Sequence, residues 1–245
     1  MKLSILQWNI WYKENINNIV LQVKKLNPDI LCLQELMQDF GKGIDTAKFI
    51  AEKTGYFCFF KLAESWDNRD DKETQGNAIF SKYPFLEKSR VYIQKLKHNP
   101  PDATHEGRVY LEADIKVGKK ILTVATTHLS YSHKFKITKI RKKEINNLLN
   151  ILKNKSKNYI FTADLNAVYD SYPVLEISKL LKHAGPDFSQ NTWTTKPFDS
   201  YGFKEDKLNW RLDYIFASKD VKILSTEIKK TKFSDHLPIL LEIEV

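Results

Sequence analysis

Ser234-Asp235-His236-Leu237-Pro238 stands near the C-terminal end of the chain, between the basic residues Lys229, Lys230 and Lys232 and the apolar run Ile239-Leu240-Leu241-Glu242-Ile243. The apolar run reads as a strand, which puts an acid and an imidazole at its mouth. There, one side chain can hold a divalent cation and the other a phosphate. An Asp-His pair alone has many structural uses. Its weight depends on whether other strands finish in the same kind of chemistry.

They do. Residues 2–8 read as a strand ending at Asn9, and residues 15–26 carry Ile16, Ile19, Val20, Val23 and Leu26 at helical spacing before Pro28. Residues 29–35 form a continuous apolar strand of the buried kind, ending at Glu35. Residues 108–115 and 121–129 alternate and pair through Gly118, and the second strand ends in Thr126-Thr127-His128-Leu129-Ser130. Residues 158–163 run into Asp164-Leu165-Asn166, and residues 211–216 open with Arg211-Leu212-Asp213. Further helices are expected over 43–53, 138–152 and 174–183, and further strands over 56–60, 77–80, 221–226 and 239–245. Residues 61–76, 94–107 and 185–209 read as irregular.

With 245 residues, 42% of them hydrophobic, the chain can bury a sizeable core, and nothing in its composition marks a linker or repeat. One domain spanning residues 1–245 is the economical expectation, and many strands with few helices argue for stacked α/β layers. Cys32 and Cys58 lie in apolar runs and read as reduced thiols. No secretory or membrane-crossing segment is apparent, so a cytoplasmic protein without a membrane partner is expected. Net charge is +9, and nine basic residues between 134 and 157, among them Lys134, Lys136 and Arg141, face one acid, Glu144. A field of that sign attracts polyanions, nucleic acid among them, although exposed helix faces are often lysine-rich for no such reason. Oligomeric state is not readable.

Acids and amides at strand mouths are costly to bury unless paired or metal-bound. Carboxylates with a carboxamide, and no cysteine or histidine cluster, favour a hard cation such as Mg²⁺ or Mn²⁺ over zinc. Asn9 has a turn-forming role as its lesser alternative, and Trp66 and Trp193 could either stack on bases or anchor their loops.

Trp8-Asn9, Gln34-Glu35, Thr127-His128-Leu129, Ala163-Asp164-Leu165-Asn166, Arg211-Leu212-Asp213-Tyr214-Ile215 and Ser234-Asp235-His236-x-Pro238 together resemble the endonuclease/exonuclease/phosphatase superfamily, in order and approximate spacing, over essentially the whole chain. Each motif is weak alone, and the ordered set is specific. The resemblance implies a deoxyribonuclease I-like fold, a four-layer α/β/β/α sandwich of two packed mixed sheets, and Mg²⁺-assisted hydrolysis of a phosphate ester. It implies Glu35 as principal metal ligand, with Asn9 and Asp235 completing the shell. Asp164 would activate water, Asn166 would bond the phosphate or that water, and His236, oriented by Asp213, would contact a non-bridging oxygen. His128 also matches a phosphate-contacting position. Arg108, Arg141, Lys134, Lys136 and Trp193 are the expected substrate contacts. Thr126-Thr127-His128-Leu129-Ser130 departs from the abasic-site endonucleases of the exonuclease III type, whose catalytic tyrosine has no counterpart here. The Thr-His-Leu form resembles the branch holding deoxyribonuclease I-like nucleases, deadenylases, tyrosyl-DNA phosphodiesterases and sphingomyelinases. That favours a nucleic-acid phosphodiesterase, with an enzyme acting on a small or lipid phosphate, such as an inositol phosphate, as the alternative.

Overall fold

The first strand, β1 (Lys2–Asn9), and the second, β2 (Ile30–Asp39), are parallel neighbours, with Ile5 opposite Ile30 and Asn9 opposite Gln34. The crossover between them is α1 (Ile16–Leu26), started by the Asn15 side chain accepting from the Asn17 N–H and closed by left-handed Asn27. These elements belong to a computed structural model that describes residues 1–39, 41–66, 73–155, 157–200 and 202–245. In chain order there follow β3 (Ile44–Asp45), α2 (Thr46–Thr54), β4 (Phe57–Trp66), β5 (Glu73–Ser81), β6 (Phe85–Gln94), β7 (Lys97–His98), β8 (Arg108–Val117) and β9 (Lys120–His128). Then come α3 (Lys139–Leu152), β10 (Tyr159–Asp164), α4 (Tyr172–Leu180), β11 (Lys182–His183), β12 (Phe198–Ser200), β13 (Phe203–Glu205), β14 (Asp213–Ala217), β15 (Lys222–Ile228) and β16 (Ile239–Glu244).

One sheet runs β15-β16-β1-β2-β5-β4-β7, with β3 beside β2, and the other runs β11-β14-β10-β9-β8-β6. Both are mixed: β1–β2 and β9–β10 are parallel, β1–β16 and β10–β14 antiparallel. Their inner faces meet in a central core to which Ile5, Cys32 and Ile79 contribute from one side and Leu111, Val124 and Ile215 from the other. The outer face of the first sheet is covered by Ile19, Val23 and Ile50 of α1 and α2. Ile145, Leu148 and Ile177 of α3 and α4 cover the second. The result is the expected four-layer α/β/β/α sandwich of two packed mixed sheets.

Local expectations fail in several places, among them short strands β7, β12 and β13 in segments read as irregular. β2 continues four residues beyond Glu35, because a bulge against β5 absorbs that residue instead of ending the strand. Much of 61–76, expected as loop, is the paired end of β4 and β5; residues 67–72 lie outside the described set. β6 was not anticipated at all. It is an edge strand whose residues are mostly exposed, so its sequence lacks hydrophobic alternation. The last helix ends at Leu180, three residues early, and residues 182–183 pair with β14 instead.

Cys32 is buried, Cys58 half-buried, and neither is in a disulfide. No helix among the described residues is long and apolar enough to cross a membrane.

Candidate active site

Functional side chains converge at the end of the sandwich where β1, β9 and β10 finish, β14 begins and β2 bulges. Parallel pairing sets Asp164 opposite His128, and antiparallel pairing sets Asp164 opposite Asp213. Asn9 joins the sheets: its Nδ2 donates to Glu35 Oε1 and to Asp164 Oδ2, both at 2.9 Å. Glu35 and Asp164 thus lie within two hydrogen-bond lengths of each other, bridged by one nitrogen. The Tyr12 N–H donates to Glu35 Oε2 at 3.1 Å, and the Asn166 N–H to Asp164 Oδ1 at 2.9 Å. Glu35, Asn166 and Ser234 all have positive φ, of 61°, 44° and 65°. Such conformations cost non-glycine residues energy and gather where side chains must be aimed.

His236 lies between two carboxylates, with Nδ1 2.8 Å from Asp213 Oδ2 and Nε2 3.6 Å from Asp164 Oδ2. Its strand mouth is fastened to β1. Trp8 Nε1 donates to the His236 carbonyl, and Ser234 Oγ donates to the Asn9 carbonyl while accepting from the His236 N–H. Trp8-Asn9 and Ser234-Asp235-His236 are therefore two halves of one joint. His128 Nε2 lies 3.5 Å from Asp164 Oδ2 and 3.0 Å from Asn166 Nδ2, which also donates to the Leu129 carbonyl. That commits both amide hydrogens of Asn166 and leaves its oxygen as the group available to the cleft.

Burial opposes a charged His236, but Asp213, Asp164 and Asp235 outweigh it and hold the ring well above the usual imidazole range. Burial, with Arg108, His236 and Arg141 nearby, holds His128 well below that range. Its contact with Asp164 is therefore polar and not an ion pair. Burial pushes Asp164 up to about 6, despite His236, and pushes Glu35 up to about 7, with Asp235 adding repulsion. Asp235 is raised too, first by burial. Crowded carboxylates of this kind fit a divalent cation, which would relieve the repulsion.

The sequence matches the Endonuclease/Exonuclease/phosphatase family over residues 6–236. The chain belongs to that family. Among solved structures, an endonuclease/exonuclease/phosphatase from Beutenbergia cavernae is similar at a TM-score of 0.78 and 20% identity, over 100% of this chain and 72% of the other. Danio rerio TDP2 complexed with a single-strand DNA product gives 0.70 and 19%, over 100% and 99%. The Bacteroides thetaiotaomicron mannosyl-6-phosphatase gives 0.70 and 16%, over 99% and 100%. No match is found among curated proteins. Members of this family are phosphoric ester hydrolases, typically dependent on a divalent metal. Here Asp164, Asp213 and His236 also present ligand atoms within 4.8 Å of one another, a cluster already bound together by the His236–Asp213 hydrogen bond.

The other expected family contacts fare unequally. Arg108 lines the cleft but is buried. Its Nε donates to Ser130 Oγ at 3.2 Å, and its guanidinium meets Glu106 and, at 3.6 Å, Glu64. Arg141, expected to touch substrate, is fully buried and donates to the carbonyls of Ser130, Leu165 and Asn166. That corrects the expectation: the guanidinium holds the turns that carry His128 and Asn166. Trp193 lines the cleft with little exposed surface, and its Nε1 donates to Asp235 Oδ2 at 3.1 Å. Lys134 and Lys136 are exposed, on either side of the buried, cleft-lining Phe135.

The basic segment does not form one face. α3 is 14 residues long, about 20 Å, and runs away from the site. Lys155 ends beside Glu112, 2.7 Å away, and the Asn158 carbonyl accepts from the Thr123 N–H near the start of β9. Sequence reasoning missed Gln7, whose Nε2 lies 3.3 Å from Asp213 Oδ1, and Thr192, whose Oγ1 accepts from the Asp213 N–H. Gln7 was findable, because it shares a strand face with Asn9.

Proposed function

We propose that the protein is a Mg²⁺- or Mn²⁺-dependent phosphodiesterase that hydrolyses phosphate ester bonds in nucleic acid. The observation that carries this reading is the setting of Asp164. It is buried, aimed by Asn9 and Asn166, and 3.6 Å from His236 Nε2.

Glu35 and Asp235 would hold the cation; Asn9, whose Oδ1 accepts from the Trp11 N–H, ties Glu35 to Asp164. When bound, the ion would supply Lewis-acid stabilisation of the charge that builds on the phosphate ester. Asp164, raised toward neutrality, takes a proton from the attacking water, which the Asn166 side-chain oxygen orients. The water oxygen bonds to phosphorus, the ester P–O bond breaks, and the departing oxygen takes a proton from solvent. Charged His236, held by Asp213, donates from Nε2 to a non-bridging oxygen where charge builds. His128, neutral, accepts from Asn166 and steadies it.

Nucleic acid as substrate is supported by exposed Lys134 and Lys136 at the rim and by a fold neighbour, TDP2, solved with single-strand DNA product. A small phosphate ester is the second reading. It is favoured by the departure of Lys153, Lys155 and Lys157 from the site, and another fold neighbour is a mannosyl-6-phosphatase. Two unpaired cysteines suit a cytoplasmic setting. The test is a panel of single- and double-stranded DNA, RNA, a 5′-phosphotyrosyl oligonucleotide and inositol phosphates, with Mg²⁺ or EDTA and an Asp164→Asn control. Turnover that persists in EDTA, or in Asp164→Asn, refutes the proposal.

A further inference from the structure

Building on the phosphoesterase reading, we propose that the cleft accepts one phosphate at a time and that the organic group bonded to it carries an uncharged planar ring. That ring docks on a wall made by Trp193, Phe198 and Tyr131.

The wall begins at the imidazole that faces the phosphate. Trp193 lies 6.4 Å from the His236 ring, Phe198 is 5.0 Å from Trp193, and Tyr131 is 5.8 Å from Phe198, centroid to centroid. Behind it Phe135 meets Trp193 edge-on at 5.4 Å and Tyr131 at 5.9 Å. The rings thus stiffen one another. Phe198 and Tyr131 are half-buried and line the cleft, so each keeps surface open to it. A rigid ring surface beside a reacting phosphate favours a flat partner, because stacking needs a π-face and costs little ordering.

The charges around the cleft limit what else can enter. The chain carries +9, yet no lysine lies among the described residues that line the cleft. Of its described lining carboxylates, Glu35 and Asp235 are the ones assigned to the cation and Asp164 to the attacking water, and Glu73 and Glu106 are the others. Glu73 lies 3.9 Å from Lys42 Nζ. The lining arginine, Arg108, is spent on Glu106 and on fully buried Glu64. A bound cation compensates one phosphate. A second anion beside it finds no further uncommitted cation among the described lining residues, and an uncompensated charge there costs on the order of tenfold or more in affinity. The remainder of a longer substrate leaves past Lys134 and Lys136.

Benzyl, cyclohexylmethyl and 4-carboxybenzyl phosphates, each as monoester and as methyl diester, separate the two requirements. The first two differ in ring flatness at equal charge, and the third adds a charge to the flat ring. With Mg²⁺, kcat/KM for the benzyl ester should exceed that for each of the others by about tenfold, the equivalent of about 1.4 kcal/mol. In Tyr131→Leu/Phe198→Leu the benzyl-to-cyclohexylmethyl ratio should fall to about one, and Tyr131→Phe/Phe198→Tyr should restore it. Equal values for benzyl and cyclohexylmethyl esters, or for benzyl and 4-carboxybenzyl esters, overturn the inference while leaving Mg²⁺-dependent hydrolysis intact. If no ester is hydrolysed, the catalytic reading is still judged by the nucleic-acid panel above. Binding of the same esters to Asp164→Asn protein, followed by tryptophan fluorescence, then decides the inference by the same ratios.

Discussion

Replacing Arg141 by Met separates two roles that a sequence cannot tell apart. The guanidinium is fully buried in α3 and donates to three backbone carbonyls, those of Ser130, Leu165 and Asn166. It also lies 3.8 Å from Glu144, whose other oxygen accepts from the Ser130 N–H at 3.0 Å. Methionine fills much of the volume but strands the carbonyls and leaves Glu144 without its cation. Breaking a buried pair in this way costs about 3–5 kcal/mol, a large part of a typical folding free energy of ~5–15 kcal/mol. In urea that moves the unfolding midpoint down by about 1–2 M. Arg141→Met/Glu144→Gln should recover a substantial part, because the stranded charge is gone. The turns that hold His128 and Asn166 also loosen, so kcat should fall by up to about a hundredfold, the scale of a ~1 Å misplacement. A variant within about 0.5 kcal/mol of the parent in stability, with KM raised and kcat kept, would mean that Arg141 reaches substrate and that the clamp is wrongly read.

Other perturbations test other parts. Asp164→Asn should lower turnover by about 10²–10⁴-fold and leave the Kd for substrate within a few-fold, measured by calorimetry; normal turnover would remove it as the base. Glu35→Ala should raise the Mg²⁺ concentration needed for half-maximal rate, and an unchanged Mg²⁺ titration would move the ion elsewhere. Charge reversal at Lys134, Lys136 and Lys139 should flatten the salt dependence of nucleic-acid binding, whereas reversal at Lys153, Lys155 and Lys157 should leave it unchanged. Equal effects of the two triples would restore the whole segment as one binding face. His183, packed against Phe188 with ring centroids 4.1 Å apart and lowered to about 4 by burial, stays neutral in the fold while an unfolded chain takes up a proton below about 6.5. Stability should therefore fall as pH drops from about 6.5 toward about 4, by about 1–2 kcal/mol after allowance for a partly covered ring. His183→Phe should lessen the pH slope by about that amount in urea titrations at pH 7 and pH 5, with buried His128 still contributing to it.

The sequence disclosed what alternation and chain order can carry. Asn9, Asp164 and His236 each adjoin a strand of buried residues, and a polar group at such a place has few reasons to be there. Glu35 was expected at the end of its strand and lies inside it, at a bulge. A bulge consumes one residue without changing composition, so its sign is a backbone angle that no residue type announces. The ends of β4 and β5 were hidden because Glu64 points inward to Arg108, and an inward charge breaks the pattern by which strands are recognised. Arg141 was misread for the opposite reason. It sits in a lysine-rich run, and nothing local separates the one cation that turns inward from its solvated neighbours.

The two sheets supply different halves of the site, so the chemistry depends on how they are held together. Glu35 and Asn9 come from one sheet, His128, Asp164 and Asp213 from the other, and an apolar interface alone would let them slide by fractions of an ångström at little cost. A polar bridge lies directly beneath. Gln7 and Gln34 exchange hydrogen bonds at 2.6 and 3.0 Å within the first sheet, then reach across to Asp213 at 3.3 Å and Thr126 at 2.9 Å in the second. Both glutamines are fully buried, where a lost hydrogen bond is not replaced by water. Directional bonds thus fix the offset that the apolar core leaves soft. The same network that aligns the sheets also holds Asp213 against His236, so alignment of the layers and orientation of the imidazole are one constraint.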